Sequence, residues 1–406
     1  MYRASIVHVG VISACLWANA SAAQSADAQA LQREVDELKA ELDMLRQQYE
    51  TRLAALEARL SSLGPAAAAP QQPALPPTAD VPPSSARVFN PDTSVIANFA
   101  GVGGENSMSD QPALSLTEVE AAFQAVVDPY ARADFFLSAG PDGLDVEEGY
   151  ITFTSLRGGV LLKAGKMRAQ FGKVNTMHTH ILPWVDRPLV TANLVGSEEG
   201  LSDPGMSLSK LIPNGFMFID AIGEVYYSDS EVFRSDTRSR LTYLGHVRGY
   251  RDLTEGTNID LGVSYAQGPS AAFPERTKQL TGFDATFRYR PLRRAIYQQL
   301  VGRTELVWSR QDLPDGPQQA AFGVYGSADY QFARRWFVGV RADRSARVLD
   351  SSLHDTGGSL TLTFKPSEFS QVRGQYRHTR YAETTTANEF LFQFNFAIGA
   401  HGAHPF

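Results

Sequence analysis

From residue 93 onward apolar and polar side chains alternate, in segments parted by Gly, Pro, Asp, Asn and Ser. The last segment is the clearest. Phe390, Phe392, Phe394, Phe396 and Ile398 share one face, with Glu389, Gln393 and Asn395 on the other. In the same way Phe283, Ala285, Phe287 and Tyr289 oppose Asp284, Thr286, Arg288 and Arg290. A period of two is that of a strand with one apolar and one polar face. Sixteen such segments are predicted between 93 and 398, among them 93–100, 238–249 and 278–290. Connections after even-numbered strands are short, as at Asp128-Pro129 and Ala333. Most of those after odd-numbered strands are longer, and the one after strand 5 spans Ala169–Pro204; the connection after strand 3 is the exception.

A soluble sandwich has no reason to keep its long and short connections at opposite ends. A membrane barrel does: short turns at one rim, long loops at the other, and strands tall enough to cross the hydrocarbon. Aromatic residues near strand ends, including Tyr226, Tyr289, Trp308, Tyr330, Trp336 and Phe390, suit two interfacial girdles. The fold class expected is therefore all-β, a 16-stranded antiparallel transmembrane β-barrel over residues 88–406, preceded by an α-helical coiled coil.

The first part of the chain has a different pattern. Leu31, Val35, Leu38, Leu42, Leu45 and Tyr49 step by four and three, and Leu53, Leu56, Leu60 and Leu63 resume after a stutter. Charged residues fill the positions between them, as in a coiled coil; a single amphipathic helix lying on the barrel is the other reading. The coiled coil is placed at 24–63, in the periplasm. Gly64-Pro65 ends it, and seven prolines (65, 70, 73, 76, 77, 82, 83) make 64–87 an extended linker. Before it, Met1-Tyr2-Arg3, an apolar run from Ile6 to Trp17, and Ala20-Ser21-Ala22-Ala23 read as a signal peptide over 1–23. Ile12-Ser13-Ala14-Cys15 offers a lipoprotein alternative in which Cys15 is acylated.

Composition refines this picture. One cysteine in 406 residues excludes a disulfide scaffold, and a formal charge of −7 gives no reason to expect nucleic acid. Mean hydropathy of −0.22 excludes a helical membrane protein but fits a barrel whose strands are half wet. Ser207-x-x-Lys210 has a catalytic spacing, but a strand turns the two side chains to opposite faces. Gly101-x-Gly103-Gly104 has no helix after it. No enzymatic activity and no cofactor are expected.

Signal, coiled coil, Pro-rich linker and 16 strands together resemble the phosphate- and pyrophosphate-selective type of trimeric outer-membrane porin. The local match is Glu148-Gly149-Tyr150-Ile151-Thr152-Phe153 followed by Leu162 to Gly172, an aromatic-containing strand and then a Gly-Lys-Met-Arg strand ending in Phe171-Gly172. The resemblance implies a homotrimer in outer-membrane lipid, with the loop after strand 5 folded inward as a constriction. That family relies on arginine and lysine clusters; here the loop offers Lys173 and Arg187, with Lys210 beyond, but also Asp186, Glu198, Glu199 and Asp203.

With apolar faces turned outward, strands 8 to 15 give nine lumenal cations (Arg240, Arg248, Arg288, Arg290, Arg303, Arg341, Lys365, Arg373 and Arg377) against five acids (Asp260, Asp284, Glu305, Asp329 and Asp343). The candidate pore-lining and anion-binding residues are Lys166, Arg168, Lys173, Arg187, Arg288, Arg290, Arg303, Arg341, Arg373 and Arg377. Such a wall raises anion occupancy in a narrow channel, unless the charges simply pair across strands. His178 with His180, and His401 with His404, have spacings that suit one borderline-soft cation, so a metal-responsive channel is a further reading. Passive diffusion of small hydrophilic solutes with weak anion preference is the expected function. The alternative is a structural protein tethered to the cell wall through the coiled coil.

Overall fold

The computed structural model describes residues 91–399, except 142, 198 and 315, together with Met44. The signal peptide, coiled coil, linker and Cys15, and His401 and His404 at the other end, lie outside the described residues. Sixteen strands run in chain order: β1 (Asp92–Glu105), β2 (Leu114–Asp128), β3 (Ala131–Gly140), β4 (Gly143–Leu156), β5 (Val160–Arg168) and β6 (Ser202–Ile212). They continue with β7 (Phe218–Tyr227), β8 (Leu241–Thr254), β9 (Thr257–Pro269), β10 (Thr277–Tyr289) and β11 (Gln299–Gln311). The last are β12 (Gln319–Ala333), β13 (Trp336–Ala346), β14 (His354–Ser367), β15 (Ser370–Arg380) and β16 (Thr386–Gly399). Each pairs antiparallel with its neighbours in sequence, and β1 closes on β16 from Ser94↔Gly399 to Glu105↔Asn388. Closure leaves no sheet edge, and a ring of this size encloses a lumen wide enough for more than side chains.

Alternation sets the faces. On β16, Glu389, Leu391, Gln393 and Asn395 are buried toward the lumen while Phe390, Phe392, Phe396 and Ile398 are exposed outside. Leu360 and Leu362 on β14 and Phe283 and Phe287 on β10 extend the same exposed apolar band. Outward aromatics pair across strands near the rims: Trp308 with Phe322, Trp336 with Phe364, Tyr376 with Phe390. An apolar belt bounded by aromatics around a charged interior suits a hydrocarbon slab, not water.

Several boundaries differ from expectation. β1 runs on to Glu105 because Gly101, Gly103 and Gly104 continue the ladder against Phe392, Phe390 and Glu389. β8 starts at Leu241, so Arg240 falls in the preceding loop, where it bonds the Pro274 carbonyl and lies 3.5 Å from Glu275. The connection after β10 carries a short 3-10 turn, Leu292–Arg294. Arg290 sits in that connection, exposed, with Nε on the Ala295 carbonyl 3.0 Å away, and so at the rim rather than on the pore wall.

Candidate functional site

The chain between β5 and β6, Ala169–Leu201, turns into the barrel. Its base is a clasp at Asn175, whose Nδ2 donates to the carbonyls of Ala169 (2.8 Å) and Leu201 (3.1 Å) while Oδ1 accepts from the Leu201 amide (2.8 Å). Gly200 completes it: φ is +63° there, and a Cβ would lie 2.2 Å from Asn175 Oδ1.

A loop placed inside a barrel must find partners for its backbone polar groups. The wall supplies them as charged and amide side chains. Gln170 N donates to Glu224 on β7, and Gly172 N to Ser264 on β9. Lys173 N and Val174 N share Glu305 Oε1 on β11, at 2.6 and 2.7 Å. Farther along, Val185 N reaches Gln375 on β15 and Leu189 N reaches Asp343 on β13. Arg373 of β15 caps the carbonyls of Leu182 and Trp184, and Asn395 of β16 caps that of His180. Asn193 bonds Asp355 on β14. The path thus touches β2, β4, β7 and every strand from β9 to β16, with Phe171 against Gly282 of β10 and Val190 against Gly323 of β12.

Apolar packing holds the same loop. Phe171, Val174, Leu182, Trp184, Val190 and Leu194 are almost fully buried against lumenal residues such as Tyr226, Leu244, Leu280, Val307 and Tyr325. Trp184 meets Tyr325 edge-on with ring centroids 5.3 Å apart, and Arg341 lies over its indole at 4.9 Å. The loop is a small hydrophobic core set into a polar lumen. A sequence signal for it exists: near the long-loop rim, several strands carry apolar residues on both faces at once, as in Val225-Tyr226, Tyr243-Leu244 and Val307-Trp308.

The expected basic residues fall into four groups. Arg341, Arg373 and Arg377 are lumenal but engaged with the loop; Asp186 accepts from Arg341 (2.9 Å) and Arg377 (3.0 Å), and Arg377 also binds Glu389 (2.6 Å). Burial alone would raise the Asp186 carboxyl, yet the two guanidiniums hold it down at about 2. Lys173 and Arg187 belong to the loop itself. Lys173 Nζ sits 3.0 Å from Asp260, with burial pushing its pKa down. Arg187 donates to the carbonyls of Val174 and Met177. Arg288 and Arg303 form a wall nearer the short-turn rim, Arg288 3.8 Å from Asp260 and Arg303 2.6 Å from Asp329. Lys166 pairs with exposed Asp145, and Arg168 is buried against Glu147 and the Glu199 carbonyl.

Opposite this wall, β2 and β4 carry a group that sequence reasoning passed over. Glu118 and Glu120 alternate inward on β2. On β4 a bulge inserts Glu147 between the pairs Leu137↔Val146 and Phe136↔Glu148, so two successive glutamates stand beside the loop. His178 lies between them: Nδ1 donates to Glu120 Oε2 at 2.6 Å and Nε2 to Glu148 Oε1 at 2.7 Å. Burial favours the neutral ring, but the bonds to Glu120 and Glu148 and the charge of Glu147 outweigh it and push the pKa up to about 10. His180 stacks edge-on to His178, ring centroids 5.6 Å apart. The structure therefore joins one expected histidine pair.

No protein-family model matches the chain. Among solved structures the barrel is similar to the anion-selective porin from Comamonas acidovorans, with a TM-score of 0.54 and 11% identity over 75% of this chain and 98% of that one. It is also similar to in-vitro folded OmpT of Vibrio cholerae in its trimer form (TM-score 0.52, 9% identity, 76% and 98% covered). The outer membrane channel DcaP of Acinetobacter baumannii gives TM-score 0.52 at 10% identity, with 76% and 96% covered. At these identities the shared property is the fold, the outer-membrane barrel. A relative by sequence is an uncharacterized protein of Aquifex aeolicus (strain VF5), 30% identical over 393 residues, covering 80% of this chain and 82% of that protein. The chain belongs to the family of that Aquifex protein, and its barrel has the fold of the outer-membrane porins.

Proposed function

We propose that this protein is an outer-membrane channel for passive diffusion of small hydrophilic solutes, its bore set by the loop Ala169–Leu201, with a weak preference for anions. The observation that carries the reading is the closed 16-stranded wall, apolar outside and charged inside. The likeness to porin barrels supports it, and one of those proteins is described as anion-selective.

The anion preference rests on Arg248, Arg288, Arg303 and Lys365 toward the short-turn rim, where they outnumber Asp220, Asp260 and Asp329. The glutamates of β2, β4 and β7 stand apart from this wall and beside the loop, as in Glu224 with Gln170 and Glu148 with His178. Lys173 and Arg187 are turned to Asp260 and to loop carbonyls, so we take the solute to be small anions as a class rather than phosphate in particular. A homotrimer carrying a periplasmic coiled coil on its N-terminal side completes the reading; V. cholerae OmpT is described in a trimer form.

Refolded protein in a planar bilayer under a KCl gradient tests this. Conductance steps in threes and a reversal potential favouring chloride are expected, with inorganic phosphate as a competing anion. A folded barrel that conducts nothing would overturn the channel reading in favour of an envelope tether, whose loss on deleting residues 24–87 would then be measured as envelope leakage.

A further inference from the structure

On the inner face of β2, where the loop passes, carboxylates and imidazoles meet at distances shorter than packing requires. We propose that Glu118, Glu120, His178 and His180 bind one divalent transition-metal ion, which fastens the inserted loop to the barrel wall.

The donor atoms already converge. One ligand atom each from Glu120, His178 and His180 lie within 4.8 Å of one another. His180 Nδ1 is 3.7 Å from Glu120 Oε2 and 3.8 Å from Glu118 Oε2, and His178 Nδ1 is 2.6 Å from Glu120 Oε2. Around a tetrahedral zinc ion with ligands at about 2.0–2.1 Å, neighbouring ligand atoms stand roughly 3.3–3.4 Å apart. The histidine–carboxylate distances bracket that figure, so shifts below an ångström would seat an ion. Two imidazole nitrogens with carboxylate oxygens suit zinc, cobalt, manganese or iron rather than calcium, which prefers an all-oxygen shell.

The surroundings are those of a ligand set. Glu148 accepts from His178 Nε2 at 2.7 Å, leaving Nδ1 as the atom that faces the ion; an outer carboxylate of this kind orients a ligating imidazole. Glu120 is 1% exposed and Glu118 8%, yet Glu118 Oε2 and Glu120 Oε1 have no hydrogen-bond partner among the described residues. Four glutamates (118, 120, 147 and 148) gather here around the Arg168 guanidinium and the His178 imidazolium. Buried charge left so incompletely matched is costly, and a divalent cation would balance it. Binding exchanges the His178 proton, released to solvent, for the ion. Of the two loop ligands, His178 precedes and His180 sits within a 3-10 turn, Thr179–Ile181, and the two wall ligands sit two apart on one strand, so the ion would join elements far apart in sequence.

The test uses the full chain, folded in detergent and stripped with a chelator, then titrated with Co²⁺ by visible absorption and with Zn²⁺ by competition. One ion per protomer is expected, with ligand-field bands of a four- or five-coordinate site and a rise in the unfolding midpoint on adding Zn²⁺. Glu118→Gln, which leaves every hydrogen bond described above in place, should weaken binding at least tenfold. His180→Asn should do the same, and the double variant His401→Asn/His404→Asn should bind as the parent does. The readout is the bound metal, not current, so it stands whether or not the barrel conducts. Absence of binding in the folded parent, or binding that survives both Glu118→Gln and His180→Asn, would overturn the site and leave an ion-pair cluster that pins the loop.

Discussion

Asp186 Oδ2, in the middle of the inserted loop, lies 2.9 Å from Nη2 of Arg341 on β13, a guanidinium 1% exposed. The pair joins residues 155 apart in sequence and is shared with Arg377. Removing one member of a buried pair strands the other, at a cost of about 3–5 kcal/mol. Asp186→Asn should fall at the low end, since Arg341 keeps Asp343 at 2.8 Å. Denaturant unfolding of the refolded barrel measures the loss. The same variant should raise single-channel conductance, because the loop loses its anchor on β13 and β15; unchanged conductance would show that this anchor does not set the bore.

Acid should release the same anchor. The folded-state pKa of Asp186, about 2, lies below its ordinary 3.8, so its contribution is complete above the ordinary value and disappears as pH falls through about 2. Trp184, two residues away and buried against Tyr325, reports on the loop, whereas Trp308 and Trp336 face outward. Tryptophan fluorescence should therefore show a step between pH 4 and 2 that Asp186→Asn lacks. A step of equal size in the variant would place the acid transition elsewhere.

Close packing of the loop is testable at Gly323. A Cβ there would come 2.6 Å from Val190 Cγ2 and 2.9 Å from Ser345 Oγ. Gly323→Ala overpacks this contact and should cost about 1–3 kcal/mol, read as a lower unfolding midpoint. Gly326, three residues later and on the opposite face, has nothing within 4 Å, so Gly326→Ala is the matched control and should leave the midpoint almost unchanged.

The outer face answers to lipid. Phe392, midway along β16, is 42% exposed, while its neighbour Gln393 is buried inside against Arg373. Phe392→Arg puts a charge near the middle of the apolar belt and should cost about 2–4 kcal/mol for folding into vesicles. Folding into detergent micelles, which deform around a charge, should suffer less. Equal losses in both media would argue against a bilayer-facing position.

The wall was legible in the sequence because each strand carries its own instruction: lipid on one side and water on the other impose a period of two, and Phe390 to Ile398 can be read without knowing any partner. The loop was legible as a length, with its inward fold implied by the family resemblance, but its anchors on the wall were not. Val174 depends on Glu305, 131 residues away, and no local pattern announces that distance. The acids of β2 and β4 escaped for two reasons. They lie outside strands 8 to 15, whose basic residues dominate the sequence pattern, and the bulge at Glu147 breaks the alternation that assigns faces. The ring is divided: arginines gather on β8–β15, together with acids such as Glu305, while β2, β4 and β7 add Glu118, Glu120, Glu147, Glu148 and Glu224.

That division sets the last expectation. Arg288 lies on the arginine wall toward the short-turn rim, 3.8 Å from Asp260, and its side chain is 16% exposed. A unit charge about 8 Å from a passing ion in wet surroundings is worth roughly 0.5 kcal/mol, or about twofold in ion occupancy. Arg288→Gln should thus lower the chloride-to-potassium permeability ratio about twofold, read from the reversal potential under a KCl gradient, with little change in conductance at high salt, where screening erases the wall's field. Glu224→Gln, three strands away on β7 and nearer the long-loop rim, should leave the ratio nearly unchanged, because that carboxylate already accepts the Gln170 amide at 2.9 Å. A ratio that responds to Glu224 and not to Arg288 would move the selectivity of this channel from the arginine wall to the loop.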